Sequence, residues 1–246
     1  MAWILTIDID IDADQVDLTS DQLWTAGTNG IAEVPGDQGV RLLAGFDTEA
    51  EAAAAQTEFG GTVAPVDPTV WGAPAATVIE VGGRALTIDA GHSFGHGAHP
   101  TTQLCLAALA RHVVSGQTVL DVGCGSGVLS LAAASLGAAA ITAIDIDPAA
   151  IAATNSNAQA NSIVIDVSTT PFAEIDGPFD IVVINMLVAE IEPFVADVCR
   201  VAGGLVILSG ALIEQADRWA TMFPRWNAVD ETTDGEWICR TYRIAG

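Results

Sequence analysis

The sequence predicts an α/β protein in two parts. A small α+β domain of ferredoxin-like order comes first, followed by a doubly wound, mostly parallel sheet with an antiparallel C-terminal edge hairpin. Three observations carry this. Residues 1–66 hold the element order β-α-β-β-α-β. From residue 75 onward, apolar strand-like runs alternate with longer helical segments, as in a sheet covered by helices on both faces. The C-terminal end breaks that alternation with two strand-like runs flanking Gly235. A chain of 246 residues can bury one good-sized core and a second small one.

The elements follow in order. Trp3 to Ile11 alternates Ile7, Ile9 and Ile11 with Asp8 and Asp10, the period of a half-buried strand. Thr19 or Ser20 is placed to cap a short helix through Trp24 that stops near Gly27. Ile31 to Val34 and Val40 to Phe46 read as strands joined by the Pro35–Gly39 turn. Thr48 to Phe59 is rich in Ala and Glu and strongly helical, and Gly60-Gly61 stops it before a closing strand, Thr62 to Val66. Residues 67–74, with two prolines and a glycine, form the expected linker to a second domain, 75–246. There a hairpin (Thr77–Val81, Arg84–Asp89) precedes a Gly/His-rich loop and a helix, Thr101 to Val114. The alternating series then runs: strand Thr118–Val122, helix Val128–Leu136, strand Ala140–Ile144, helix Pro148–Ala160. It continues as strand Phe179–Ile184, helix Val188–Val201 and strand Leu205–Ser209. Trp226–Thr232 and Trp237–Ile244 form the edge hairpin.

Composition narrows the function. Half the residues are apolar and 24 are glycine, which suits a compact chain and excludes a disordered one. No long uncharged apolar run marks a membrane span. Asp8, Asp10 and Asp12 stand where a signal peptide needs a basic start, so a cytoplasmic protein is expected. Cys105, Cys124, Cys199 and Cys239 are widely spaced and form no CxxC pair, so reduced thiols are expected. Eight basic residues, all Arg, against 31 acidic ones leave a net charge of −23. Such a surface disfavours direct binding of nucleic acid and favours a basic protein partner, although adaptation to salt or a base-composition bias explains it as well.

The strongest local signal is Asp121-Val-Gly123-Cys-Gly125-Ser-Gly127, an apolar strand running into three alternate glycines with a helix opening at Val128. Glycine lets the backbone turn sharply and approach a ligand without a Cβ between them. The spacing is not the GxGxxG of nicotinamide binders. Asp121 can order the loop or reach the amino acid end of a cofactor. About 22 residues beyond Gly123, Asp145 ends the next strand, where an acidic side chain can take both ribose hydroxyls. Asp147-Pro148 reads as a helix start, with Asp147 the N-cap. Asn185 lies where a parallel strand stops, at the carboxyl edge where ligands bind, and its carboxamide can orient an amine. A plain helix cap is the competing role for Asn185.

A third signal is Phe94-Gly-His-Gly-Ala-His99-Pro-Thr101-Thr102. The spacing of His92, His96 and His99 raises a zinc site, but the glycines give no helical face and no carboxylate or cysteine clusters nearby, so no metal is expected. Thr101 or Thr102 can cap the next helix; in the other reading the segment is a lid whose threonines touch the cofactor.

Together, Phe94–Thr102, Asp121–Gly127, Ile144-Asp-Ile-Asp-Pro148, Asn185-Met-Leu187 and Gly235-Glu-Trp237 resemble the ribosomal protein L11 methyltransferase family. The likeness covers residues 75–246, and residues 1–66 by architecture alone. It implies a Rossmann-like class I methyltransferase sheet, S-adenosyl-L-methionine as cofactor, and N-methylation of lysine side-chain or N-terminal amines of ribosomal protein L11. Thr102, Gly123, Asp145 and Asn185 become cofactor contacts, with Phe94, Asp121, Gly125 and Gly127 beside them and Asn185 as the catalytic residue. The first domain becomes the substrate-recognition domain, and a monomer is expected. Residues 1–66 and their linker are short for the family, which bears on the substrate more than on the chemistry. Three alternatives stay open: a same-fold enzyme for another protein lysine or a small molecule, a cofactor-binding module that docks a basic partner, and an NAD-dependent oxidoreductase.

Overall fold

The computed structural model describes residues 2–10, 13–28, 30–36, 39–66, 76–89 and 97–244. The chain divides into two compact units, one of residues 1–75 with 91–94, the other of residues 76–90 with 95–246.

In the first unit, strands β1 (Ala2–Asp10), β2 (Gly30–Pro35), β3 (Gly39–Phe46) and β4 (Thr62–Val66) form one antiparallel sheet in the order β2-β3-β1-β4. With helices α1 (Ala13–Thr25) and α2 (Glu49–Phe59), this is the expected β-α-β-β-α-β arrangement. Alternation places Leu5, Ile7 and Ile9 in the core beside Leu42, Ala44 and Phe46. A reciprocal capping box starts α2: Glu51 N–H donates to Thr48 Oγ1 at 3.3 Å and Thr48 N–H to Glu51 Oε2 at 3.0 Å. Helix α1 corrects the sequence reading, because it starts at Ala13 and leaves Thr19 and Ser20 in its interior. Val16, Ser20 and Leu23 recur at helical spacing on its buried face, and that packing outweighs the cap preference of Ser20.

The second unit opens with an antiparallel pair, β5 (Thr77–Val81) and β6 (Arg84–Ile88), and continues into a seven-stranded sheet. Its strands are β7 (Thr118–Val122), β8 (Ala140–Ile144), β9 (Asp166–Ser168), β10 (Phe179–Asn185), β11 (Ala202–Leu212), β12 (Trp226–Asp234) and β13 (Trp237–Ile244). They lie in the order β12-β13-β11-β10-β7-β8-β9, parallel from β11 to β9, with β13 and β12 added antiparallel at one end. Helices α3 (Pro100–His112) and α4 (Val128–Ser135) pack together on one face, and α5 (Pro148–Ala160) follows β8. On the other face α6 (Val188–Ile191), α7 (Val195–Val201) and α8 (Ala216–Met222) bury Ile191, Val198 and Trp219 against Leu120, Val182 and Val206 of the sheet.

Three differences from the sequence reading have physical causes. The single helix expected over 188–201 is interrupted by a 3₁₀ turn at Glu192–Phe194, because Pro193 lacks the N–H that a continuous helix needs. Strand β9 is too short, at three residues, for a period to register. Helix α8 was not anticipated; its buried face has few members, among them Ala216 and Trp219. Chain order reverses between β7 and β10, so the carboxyl ends of these two strands border the crevice where such sheets bind ligands.

Candidate active site

Of the described residues singled out by the sequence, Asp121, Gly123, Gly125, Gly127 and Asn185 stand at the carboxyl ends of β7 and β10, with Asp145 at the end of the neighbouring β8 and Thr102 beside Asn185. Gly123, Gly125 and Gly127 all hold positive φ angles, of 72°, 52° and 78°. Glycine is required at 127, since a Cβ there would stand 2.6 Å from Thr154 Cγ2 in addition to the left-handed backbone. The loop's own donors are used internally. Gly123 N–H and Cys124 N–H both donate to Ile144 O, at 2.9 and 3.1 Å, and Gly127 N–H donates to Cys124 O at 2.7 Å. Gly125 N–H donates to Asp145 Oδ2 at 3.0 Å. Thr154 Oγ1 in turn donates to Gly125 O at 2.9 Å.

Asp145 stands just past β8 and is half-buried. Its second oxygen, Oδ1, accepts from Asp147 N–H at 3.0 Å. Each carboxylate oxygen therefore keeps acceptor capacity for a further donor. Asp147 is the N-cap of α5, its Oδ1 accepting from Ala149 N–H at 2.8 Å ahead of Pro148.

Asp121 is fully buried at the end of β7. Its Oδ2 accepts from Ser130 N–H at 3.1 Å and from Ser130 Oγ at 2.6 Å, so the carboxylate lies against the first turn of α4. Oδ1 is buried with no partner. Burial pushes the carboxyl up to about 6, against the pull of the Ser130 bonds, and the Asp145 charge adds a smaller upward push. Burial likewise pushes the Cys124 thiol up to about 12, which leaves no thiolate nucleophile there.

On the opposite side of the crevice Asn185 ends β10, and its Nδ2 lies 3.5 Å from Thr102 Oγ1. That is long for a hydrogen bond, so the carboxamide is open to a stronger partner. Thr102 is buried in the first turn of α3, one residue past Thr101. Neither threonine is the cap: α3 starts at Pro100, and His99 caps it, with Thr101 N–H donating to His99 Nδ1 at 3.4 Å. Burial lowers the His99 pKa to about 4, so the ring is neutral near pH 7. His99 also meets Trp237 edge-on at 5.5 Å between ring centroids. Phe94, His92 and His96 lie outside the described residues. Among the described residues no group of three or more His, Cys, Asp or Glu could hold a metal.

Several residues that shape this edge were given no site role in the sequence analysis. Met186 follows Asn185 and sets its thioether where a Cβ on Gly123 would stand, 2.9 Å from Sδ. Gly210, with φ of 88°, lets β11 close on Met186, because a Cβ there would stand 2.3 Å from Met186 O. Thr154 and Asn157 buttress the glycine loop from α5. The only cue to them was a row of polar residues at helical spacing in an Ala-rich helix.

Comparison with known proteins adds the family. The family model described as ribosomal protein L11 methyltransferase (PrmA) matches residues 69–244. A ribosomal protein L11 methyltransferase of Geobacter metallireducens is 40% identical over 168 residues, covering 67% of this chain and 56% of the relative. One from Dechloromonas aromatica is 41% identical over 159 residues, covering 63% of this chain and 53% of the relative. The chain thus spans about half the length of the curated relatives it matches. The crystal structure of ribosomal protein L11 methylase from Lactobacillus delbrueckii subsp. bulgaricus aligns with a TM-score of 0.60 and 32% identity, over 64% of this chain and 84% of that one. A 16S rRNA methyltransferase of T. thermophilus, solved with AdoMet and guanosine, aligns at 0.59 with 19% identity over 87% of this chain and 58% of that one, a likeness of fold alone. By the span of the family match and by the motifs at its crevice, the chain belongs to the ribosomal protein L11 methyltransferase family.

Proposed function

We propose that this chain is an S-adenosyl-L-methionine-dependent methyltransferase that N-methylates lysine side-chain or N-terminal amines of ribosomal protein L11. The observation that carries the cofactor reading is how the glycine loop uses its polar groups. In a dinucleotide-binding fold, loop N–H groups and the N-terminus of the next helix receive the pyrophosphate. Here the N–H groups of Gly123, Cys124, Gly125 and Gly127 are engaged within the protein, and the first turn of α4 faces the chain's own Asp121 carboxylate. A phosphate would find few donors and a negative neighbour, which argues against NAD. An uncharged sugar and a cationic amino acid end suit the same site. Asp145 offers its remaining lone pairs to ribose hydroxyls, and the orphaned Asp121 Oδ1 suits an ammonium. Thr102, Gly123 and Asn185 complete the cradle in this reading.

When bound, S-adenosylmethionine supplies a methyl group already activated on a sulfonium. The chain's own task is then to hold a neutral amine in line, and positioning provides much of the acceleration. A lysine amine is mostly protonated near pH 7 and must shed a proton first. Among the described residues no side chain at the crevice is assigned as a general base. His99 is committed to capping α3, and Asp121 holds Ser130 through Oδ2 and, in this reading, the ligand's ammonium through Oδ1, so the proton passes to water. Asn185 orients the amine by accepting from its N–H. The acidic surface suits a basic substrate, and the first unit is assigned its recognition.

Because the family model begins only at residue 69, a basic protein other than L11 is the second reading. Two measurements test the proposal: calorimetric titration with S-adenosylmethionine, and mass spectrometry of purified L11 incubated with protein and cofactor. Saturable binding and mass gains in steps of one methyl group are expected. No binding at millimolar cofactor overturns the cofactor; binding without modified L11, but with another labelled protein in a lysate, moves the substrate.

A further inference from the structure

Helix α5 is rich in alanine, yet it buries Thr154 and Asn157 on one face, with Asn161 just beyond its end. Asparagine is a poor helix former, and a buried carboxamide is costly unless its donors and acceptor are filled. Both asparagines are filled, by a shared pattern with one difference. Asn161 Oδ1 accepts from Thr87 N–H at 3.0 Å, and its Nδ2 donates to Thr87 O at 2.7 Å. Asn157 repeats this grip two residues further along the same stretch. Its Oδ1 accepts from Asp89 N–H at 2.9 Å, and its Nδ2 donates to Asp89 O at 2.8 Å. The remaining amide hydrogen sets them apart. In Asn161 it returns to the helix, to Asn157 O at 2.8 Å; in Asn157 it leaves the helix and reaches Ser126 O at 2.9 Å.

Ser126 lies inside the glycine loop. Its carbonyl and that of Gly125, which accepts from Thr154 Oγ1 at 2.9 Å, are two successive loop carbonyls committed to α5. The preceding N–H, of Gly125, is committed to Asp145. We propose that Asn157 is a positioning residue for cofactor binding: through Ser126 O and Asp89 it ties the glycine loop to the β6 strand, so that loop and Asp145 carboxylate meet the ligand already in register. This rests on reading the loop as the cradle of S-adenosylmethionine. Without the tether, the loop keeps its glycines and its sequence but loses the orientation of the Ser126–Gly127 peptide, which binding must then restore. Asn161 holds β6 in the same manner and does not touch the loop, so it serves as an internal control.

The test compares Asn157→Ala with Asn161→Ala in the full chain, by thermal melting and by calorimetric titration with S-adenosylmethionine. Both variants lose two backbone hydrogen bonds, to Thr87 of β6 for Asn161 and to Asp89 just past the end of β6 for Asn157, so both should melt at lower temperature than wild type. Only Asn157→Ala should weaken cofactor binding, by about 10-fold, equivalent to about 1.4 kcal/mol. Asn161→Ala should stay within about 2-fold of wild type. Asn157→Asp, of the same shape, keeps the acceptor for Asp89 N–H and lacks both donors; it should show the same loss of affinity and stands in if the alanine variant does not fold. Equal dissociation constants for the 157 and 161 variants, beside a wild type that binds, overturn this role alone. A wild type that does not bind overturns the cofactor reading and this role with it.

Discussion

The first unit packs Leu5, Ile7, Leu42 and Phe46 of its sheet against Val16, Leu23, Ala52 and Ala55 of its helices. Among its described residues, Ser20 and Thr28 are the buried polar ones. The second unit buries Thr101, Thr102, Asp121, Ser126, Ser130, Thr154, Asn157, Asn161, Ser209 and Thr241. Most of these stand in or beside the glycine loop, α3 and α5. Buried polar groups destabilise a fold unless they are satisfied, and a satisfied network fixes one geometry where an apolar core tolerates several. The contrast teaches that an apolar core holds the first unit together, whereas the second also fixes backbone atoms of the glycine loop, the proposed cofactor cradle, through buried polar side chains.

Variants can break or sharpen that contrast. The largest effect is expected from Phe46→Ala, which removes a fully buried ring and should lower stability by about 3–5 kcal/mol in denaturant titration. Affinity for S-adenosylmethionine, measured under conditions where the second unit stays folded, should not move. A parallel loss of affinity would erase the division of labour. Next comes Asp145→Ala, which removes the carboxylate assigned to the ribose hydroxyls and the acceptor for Gly125 and Asp147. Losing two charge-assisted bonds should weaken cofactor binding by about 3 kcal/mol, roughly 100-fold. An unchanged dissociation constant by calorimetry would remove Asp145 from the site.

Asp121 offers a test by pH. Its folded-state pKa of about 6 lies above its ordinary value of 3.8, so the native state holds the proton more tightly than the unfolded chain. The stability it contributes is complete below pH 3.8 and is lost as the pH rises through about 6. Asp121→Asn has no proton to lose. Its stability relative to wild type should therefore rise across that window, by roughly 2–3 kcal/mol in all. Parallel pH–stability curves for the two proteins would show that the carboxylate is better solvated than its burial implies. The smallest effect is expected at Asn185→Ala, where turnover should fall by about 10- to 30-fold, about 1.4–2 kcal/mol, with cofactor affinity less affected. Near-normal turnover would reduce Asn185 to the end of a strand.

Much of the molecule was legible in the chain itself. Alternation located β1, because one of its faces is buried and the period of 2 survives in the residues, whereas β10 stood out as an unbroken apolar run that is buried on both faces. The capping boundary of α5 and the hairpin at Gly235 followed from turn and cap chemistry. The start of α1 did not, since Ser20 has the chemistry of a cap and the position of a core residue. At the candidate site, Gly123 and Asp145 stood out because each directly follows an apolar strand, and Asn185 because it ends one. Thr154 and Asn157 were not, because their partners are backbone atoms 29, 31 and 68 residues away.

What the residues determined unaided is the local program: which segments extend, which coil, where the chain must turn through glycine, and which carboxylates end a strand. These follow from sterics and from the periodic burial of side chains, and both act over a few residues. Tertiary structure alone decided which of those groups face one another. Bringing β10 beside β7 set Asn185 across from the glycine loop; packing α4 on β7 gave one oxygen of Asp121 to Ser130; docking α5 gave the loop its asparagine tether. Strand order and helix docking are settled by burying apolar surface over the whole unit, so partners far apart in the chain become neighbours only once that surface is closed.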